Sequence, residues 1–191
     1  MKSVRLVVLI FLLSPLVGAD AQLVGPREEI PFVPTPLAVI DQMLELAKVK
    51  KTDMVYDLGS GDGRIVIRAA QKYGVKAVGI EMDQLLLAKA RKDAQAAGVT
   101  RLVEFRAEDA LKADISRATV ITLYMLPWFN EAMKPSFKKY LKPGTRIVAH
   151  DFAIEGWEPD QTVKLPGFEL KAGGYKHRHT LYLWRMSDRR Q

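Results

Sequence analysis

Two hydrophobic periods alternate along this chain from residue 36 to about residue 152. Leu37, Ile40, Leu44 and Ala47 recur at helical spacing behind Thr35-Pro36, which predicts a first helix over about 36–49 with Thr35 as its cap and Pro36 at its first position. Met54 to Asp57 then reads as a buried strand, Arg64 to Tyr73 as a helix and Ala77 to Glu81 as a second strand. Gln84 to Ala97 sets Leu87, Ala90, Ala94 and Ala97 on one helical face and stops at Gly98. Leu102 to Arg106 and Thr119 to Met125 follow as strands, Trp128 to Tyr140 as a helix, and Arg146 to Phe152 as a fifth strand after the turn Lys142-Pro143-Gly144.

Such alternation implies an α/β fold, a mostly parallel sheet with right-handed crossovers and helices on both faces. The end of the chain differs. Thr162 to Leu165 and Phe168 to Lys171 lead through Gly173-Gly174 into Arg178 to Met186 with no helical pattern, which predicts an antiparallel hairpin completing the sheet.

Ahead of residue 36 the pattern is of another kind. Lys2 and Arg5 precede an apolar run from Leu6 to Leu13 that continues to Val17, and Ala19-Asp20-Ala21 closes it. That is the charge, core and small-residue order of a secretory signal over residues 1–21, and the uninterrupted run falls short of the ~20 residues of a membrane span. Export to an extracytoplasmic space is the expectation, with an uncleaved membrane anchor or a cytoplasmic location as the alternatives. Pro26 to Pro36 holds four prolines and predicts an extended arm with Pro31-Phe32-Val33-Pro34-Thr35-Pro36 as its centre. The organisation is therefore a leader (1–21), a proline-rich arm (22–35), a single α/β domain (36–186) and a basic tail (187–191).

Composition narrows the chemistry. A chain of 191 residues suits one substantial core, and the absence of cysteine excludes disulfides, thiolate metal sites and cysteine nucleophiles. The net charge of +7 becomes +6 without Lys2, Arg5 and Asp20, leaving 27 basic against 21 acidic side chains. The bases are interspersed with acids, so the charge gives no clear nucleic-acid footprint, and the chain is expected to be a monomer.

In an open α/β sheet a ligand sits beyond the carboxyl ends of the strands, and the loop after the first central strand is the usual place. Gly59, Gly61 and Gly63, with Ser60 between the first two, occupy it. The spacing Gly-x-Gly-x-Gly differs from the Gly-x-Gly-x-x-Gly of a dinucleotide site. Asp57 and Asp62 would repel a pyrophosphate there and attract a cation, which favours a donor that carries an ammonium and a sulfonium. Glu81 ends the second strand, where an acid accepts hydrogen bonds from both ribose hydroxyls of a nucleoside. Asp109, with Glu108 as its rival, is the candidate beside the adenine.

Tyr124-Met125-Leu126-Pro127-Trp128 ends the fourth strand and His150-Asp151 the fifth, both at the edge that carries the glycine loop. Group transfer from a sulfonium needs in-line approach of a neutral nucleophile and exclusion of water, for which Tyr124 and Trp128 are suited. If the nucleophile is a lysine amine it must lose its proton first, and Asp151 or His150 is placed to orient it or accept that proton. Met82, Met125 and Met133 read as core filler. His177 and His179 share one face of a strand, but no third ligand accompanies them and no metal is expected.

Asp57 to Gly63 resembles the first motif of class I S-adenosylmethionine-dependent methyltransferases. Extended to Arg64-Ile65-Val66-Ile67 and taken with Pro31 to Pro36, it is similar to the lysine methyltransferases of the ATP synthase c subunit and adenine nucleotide translocase and their prokaryotic relatives. The resemblance covers roughly residues 30–186. It implies the Rossmann-like seven-strand methyltransferase sheet, S-adenosylmethionine as donor, and a protein substrate presenting a lysine, a membrane-associated one among the candidates. It carries donor binding onto Asp57, Gly59, Ser60, Gly61 and Glu81, with Thr35 as the candidate from the arm. Tyr124-Met125-Leu126-Pro127 departs from the Asn-Pro-Pro-Tyr type of amide- and base-methylating relatives. The alternatives are a small-molecule, lipid or RNA methyltransferase, or a non-catalytic donor-binding envelope protein.

Overall fold

The computed structural model describes residues 30–169 and 176–187, so the leader over 1–21, the arm before Ile30 and the tail beyond Ser187 lie outside the described residues. The strands are β1 (Met54–Leu58), β2 (Lys76–Glu81), β3 (Val103–Ala107), β4 (Val120–Leu123), β5 (Arg146–His150), β6 (Gln161–Lys164), β7 (Phe168–Glu169), β8 (Lys176–His177) and β9 (Thr180–Arg185). Seven of them form one sheet in the order β3-β2-β1-β4-β5-β9-β6. β1 to β5 run parallel, while β9 is antiparallel to both β5 and β6.

The expected sheet thus forms, with one difference at its end. β9 inserts between β5 and β6, whereas the segment from Phe168 pairs with β8 as a separate two-stranded ribbon. Residues along β9 suit an interior position, with Leu181 and Leu183 buried toward one face and Trp184 toward the other.

Side-chain alternation in the central strands builds two cores. Tyr56 and Leu58 of β1, Ile121 and Leu123 of β4, and Ile147 and Ala149 of β5 face α4 (Pro127–Tyr140), which contributes Phe129, Met133 and Phe137. Val55, Val120 and Val148 face the opposite way, onto α1 (Leu37–Leu46) and α2 (Arg64–Tyr73). α3 (Gln84–Ala96) packs Ala94 against Ile67 and Ala70 of α2 on that same side. Burial of these aliphatic and aromatic groups, each worth about 1.5–3 kcal/mol when complete, holds a chain that has no disulfide.

The cap expected at Thr35 is not one. Pro36 is the N-cap of α1 and no side chain caps that helix; the Thr35 hydroxyl instead meets His150. At α3 the cap is Asp83, whose carboxylate accepts from the Leu85 and Leu86 amides at 2.7 and 3.1 Å. Asp83→Ala is expected to cost about 1 kcal/mol and lower Tm by roughly 2–4 °C in a thermal melt, because two amides of the first turn lose their acceptor.

Candidate active site

The strand order reverses between β1 and β4, and a cavity of about 690 Å³ opens there beyond the carboxyl ends of β1 to β4. Its size lies within the roughly 300–1,000 Å³ of small-molecule sites. The glycine loop, Glu81, the Glu108-Asp109 turn, Tyr124, Trp128 and the arm from Ile30 to Thr35 all line it.

The loop turns through Gly59, Gly61 and Gly63 at φ of 77, 54 and 76°, left-handed values that other residues adopt only with strain. Close approach is the second reason for glycine. A Cβ on Gly61 would stand 2.5 Å from the Phe32 ring of the arm, and one on Gly59 would collide with Met125 Sδ. The loop is pinned to β2, since the Gly59 and Ser60 amides both donate to the Ile80 carbonyl at 2.9 Å.

Asp57 and Thr122 are register partners across β1 and β4, and the Thr122 hydroxyl donates to Asp57 Oδ1 at 2.6 Å. Asp57 is 2% exposed. Burial pushes its carboxyl up to about 7, against the lowering influence of the Thr122 hydrogen bond, and repulsion from Glu81 and Asp62 adds to the rise. A buried carboxyl that faces a cavity and has no partner cation among the described residues is a place where a ligand ammonium gains most.

Asp62 does not share that role. Arg64 grips it with Nε and Nη2 at 2.8 and 2.7 Å, Lys89 approaches to 3.5 Å, and the Arg64 Nη1 donates onward to the Thr35 carbonyl at 3.1 Å. The loop acid therefore clasps the arm, and its charge is neutralised within the protein. The attraction for a cation read from two aspartates rests on Asp57.

Glu81 is engaged by three amides: Gly61 N–H reaches Oε2 at 2.8 Å, and Met82 and Asp83 N–H reach Oε1 at 2.8 and 3.0 Å. A carboxylate offers about four acceptor positions, so one is left, on Oε2. Asp109 lines the cavity with Oδ1 taking the Leu111 amide at 3.0 Å and Oδ2 lying 3.4 Å from Lys112. Glu108 lines it too and is the more exposed of the two.

Tyr124 rests on His150 with ring centroids 4.0 Å apart, and Trp128 meets Phe129 edge to face. Burial raises the Tyr124 phenol above its ordinary value, and the charge of Asp151 raises it further. Asp151 and His150 stand behind Tyr124 and do not line the cavity. Asp151 turns its carboxylate to His150, His179 and the Thr180 amide. Thr35, 3% exposed, lines the cavity while its hydroxyl lies 3.3 Å from His150 Nδ1.

Of the methionines read as core, Met133 and Met125 are buried in it, Met125 also packing under Gly59, but Met82 is 67% exposed at the cavity rim. Sequence reasoning missed Thr122, Phe32 and Arg64. Thr122 had a signal, a polar residue inside the otherwise apolar β4. His179 did gain further candidate ligands, His150 and Asp151, while the side chain of His177 lies outside the described residues.

Comparison with known proteins agrees with this geometry. The profile of the ANTKMT methyltransferase domain matches residues 57–161. A protein-lysine N-methyltransferase of Saccharolobus islandicus is 43% identical over 156 residues, covering 81% of this chain and 92% of that protein. The lysine N-methyltransferase of the ATP synthase c subunit from Xenopus laevis is 32% identical over 69% of this chain, which spans 57% of that longer protein. Among solved structures, an RNA methyltransferase of Salinibacter ruber in complex with S-adenosyl-L-homocysteine superposes with a TM-score of 0.74 at 52% identity, covering 82% of this chain and 95% of that one.

Proposed function

The chain belongs to the ANTKMT methyltransferase family, an S-adenosylmethionine-dependent one, and from that premise we propose that its cavity presents a protein lysine side chain to the donor. The observation that carries the reading is a buried carboxyl, Asp57, beside a glycine cradle, with Tyr124 and Trp128 on the flank of the same cavity. When bound, S-adenosylmethionine supplies an electrophilic methyl group on its sulfonium.

The cavity residues fit that donor. Asp57 receives the ammonium, and the Cβ-free surfaces of Gly59 and Gly61 allow backbone approach. The free acceptor position on Glu81 Oε2 takes one ribose hydroxyl, not two, while Asp109 flanks the base. Thr35 fixes the arm, through its carbonyl on Arg64 and its hydroxyl near His150, so that Phe32 closes over the loop.

On the acceptor side Tyr124 and Trp128 exclude water and hold the lysine stem, while His150, with Asp151 beside it, supports the Tyr124 ring from behind. Trp128→Ala is expected to lower kcat by about tenfold or more through loss of positioning, with donor affinity left near wild type. Steady-state kinetics beside calorimetric titration of S-adenosylhomocysteine separates the two.

A second reading, RNA as acceptor, is favoured by the Salinibacter ruber relative. Against it, several of the chain's cations are committed to acids: Arg64 to Asp62, Arg68 to Asp41, Arg106 to Glu104 and Arg146 to Asp53. Incubation of the purified chain with methyl-labelled donor and a cell lysate decides. Label that precipitates in acid and is released by protease supports the proposal; label released by ribonuclease overturns it in favour of RNA.

A further inference from the structure

The end of β5 and the start of β9 hold a cluster that donor binding does not use. His150 is the last residue of β5, Asp151 follows it, and His179 directly precedes β9, so the antiparallel pairing of these strands brings the three together. His150 Nε2 lies 2.8 Å from His179 Nδ1, and Asp151 Oδ2 lies 3.3 Å from the first and 3.4 Å from the second. Their side chains are 0%, 5% and 12% exposed for His150, His179 and Asp151.

His150 Nε2, His179 Nδ1 and Asp151 Oδ2 are all atoms of metal-ligating type, and they face one another within 3.4 Å. A cation is attracted by all three atoms at once. At these separations a single point stands about 2.0–2.1 Å from each, the bond length of zinc to imidazole nitrogen and carboxylate oxygen.

The outer atoms of the cluster are held as ligands need to be. His150 Nδ1 faces Thr35 Oγ1 at 3.3 Å, which suits an N–H donated outward while Nε2 binds inward. Asp151 Oδ1 accepts from the Thr180 amide at 2.8 Å, and the Asp151 backbone is held at φ 60°. Such contacts fix ring tautomer and carboxylate direction before an ion arrives.

We propose that His150, His179 and Asp151 form a binding site for one divalent transition-metal ion of the zinc and cobalt class, tying β5 to β9. Two imidazole nitrogens and one carboxylate oxygen select such ions over magnesium or calcium, which prefer all-oxygen shells. Because Tyr124 rests on the His150 ring, the ion steadies the surface behind the acceptor side of the cavity.

The test uses the full chain, stripped with a chelator and titrated with Co²⁺ while visible ligand-field absorption is followed, then with Zn²⁺ by calorimetry. One ion per chain is expected, with the cobalt spectrum lost in His179→Ala and in Asp151→Asn. X-ray absorption on the zinc-loaded wild type should report two imidazoles, a readout that holds even if a variant fails to fold. No binding by the wild type, binding unchanged in both variants, or a zinc shell without two imidazoles overturns the proposal.

Discussion

Asp57→Asn is expected to weaken donor binding roughly ten- to a hundredfold while making the donor-free protein more stable at neutral and alkaline pH. The first effect is the loss of a charge-assisted contact to the donor ammonium, worth about 1.5–3 kcal/mol. The second follows from the carboxyl being pushed from 3.8 up to about 7 in the fold, first by burial and then by Glu81 and Asp62. Between those values the folded protein keeps a proton that the unfolded chain has released. Stability therefore falls as pH rises through that window and levels off above it. Asn keeps an oxygen for the Thr122 hydroxyl and carries no charge, so the decline disappears, and Tm at pH 8 should rise by roughly 2–4 °C for each kcal/mol recovered.

The same shift links donor affinity to pH. A cation arriving at Asp57 expels its proton, so binding below about pH 7 should release close to one proton and weaken by up to about tenfold per unit. Calorimetry in buffers of different ionisation enthalpy reads that proton directly. An affinity flat from pH 5 to pH 8 would sink the assignment of Asp57.

Glu81→Ala is expected to abolish measurable donor binding, a loss beyond about a hundredfold, because it removes a ligand contact and the acceptor of the Gly61, Met82 and Asp83 amides together. Glu81→Gln, which keeps one acceptor oxygen, should fall between. The acceptor count gives a sharper test. With one position left on Oε2, an S-adenosylhomocysteine analogue lacking one ribose hydroxyl should lose affinity and the analogue lacking the other should not. Equal losses for both would contradict it.

Much of this was legible in the order of residues. Strand and helix periods located every element of the parallel half, and glycines beside Asp57 and Glu81 marked the cavity, because local periodicity and turn chemistry are short-range properties. What depended on pairing across the sheet was not legible. The commitment of Asp62 to Arg64, the contact of Thr35 with His150 and the meeting of His179 with His150 and Asp151 span up to 115 residues or turn on rotamers. The insertion of β9 between β5 and β6 belongs to the same class, since a strand pattern says which faces are buried but not which neighbour covers them.

Methylation of lysine in this cavity is tested most directly by amino-acid analysis of protein labelled by the purified chain with methyl-tritiated S-adenosylmethionine, run beside Asp57→Asn. Radioactivity in methylated lysine, present with the wild type and lost with the variant, is the predicted result. Label in any other residue or in RNA, or none above the variant, would contradict it.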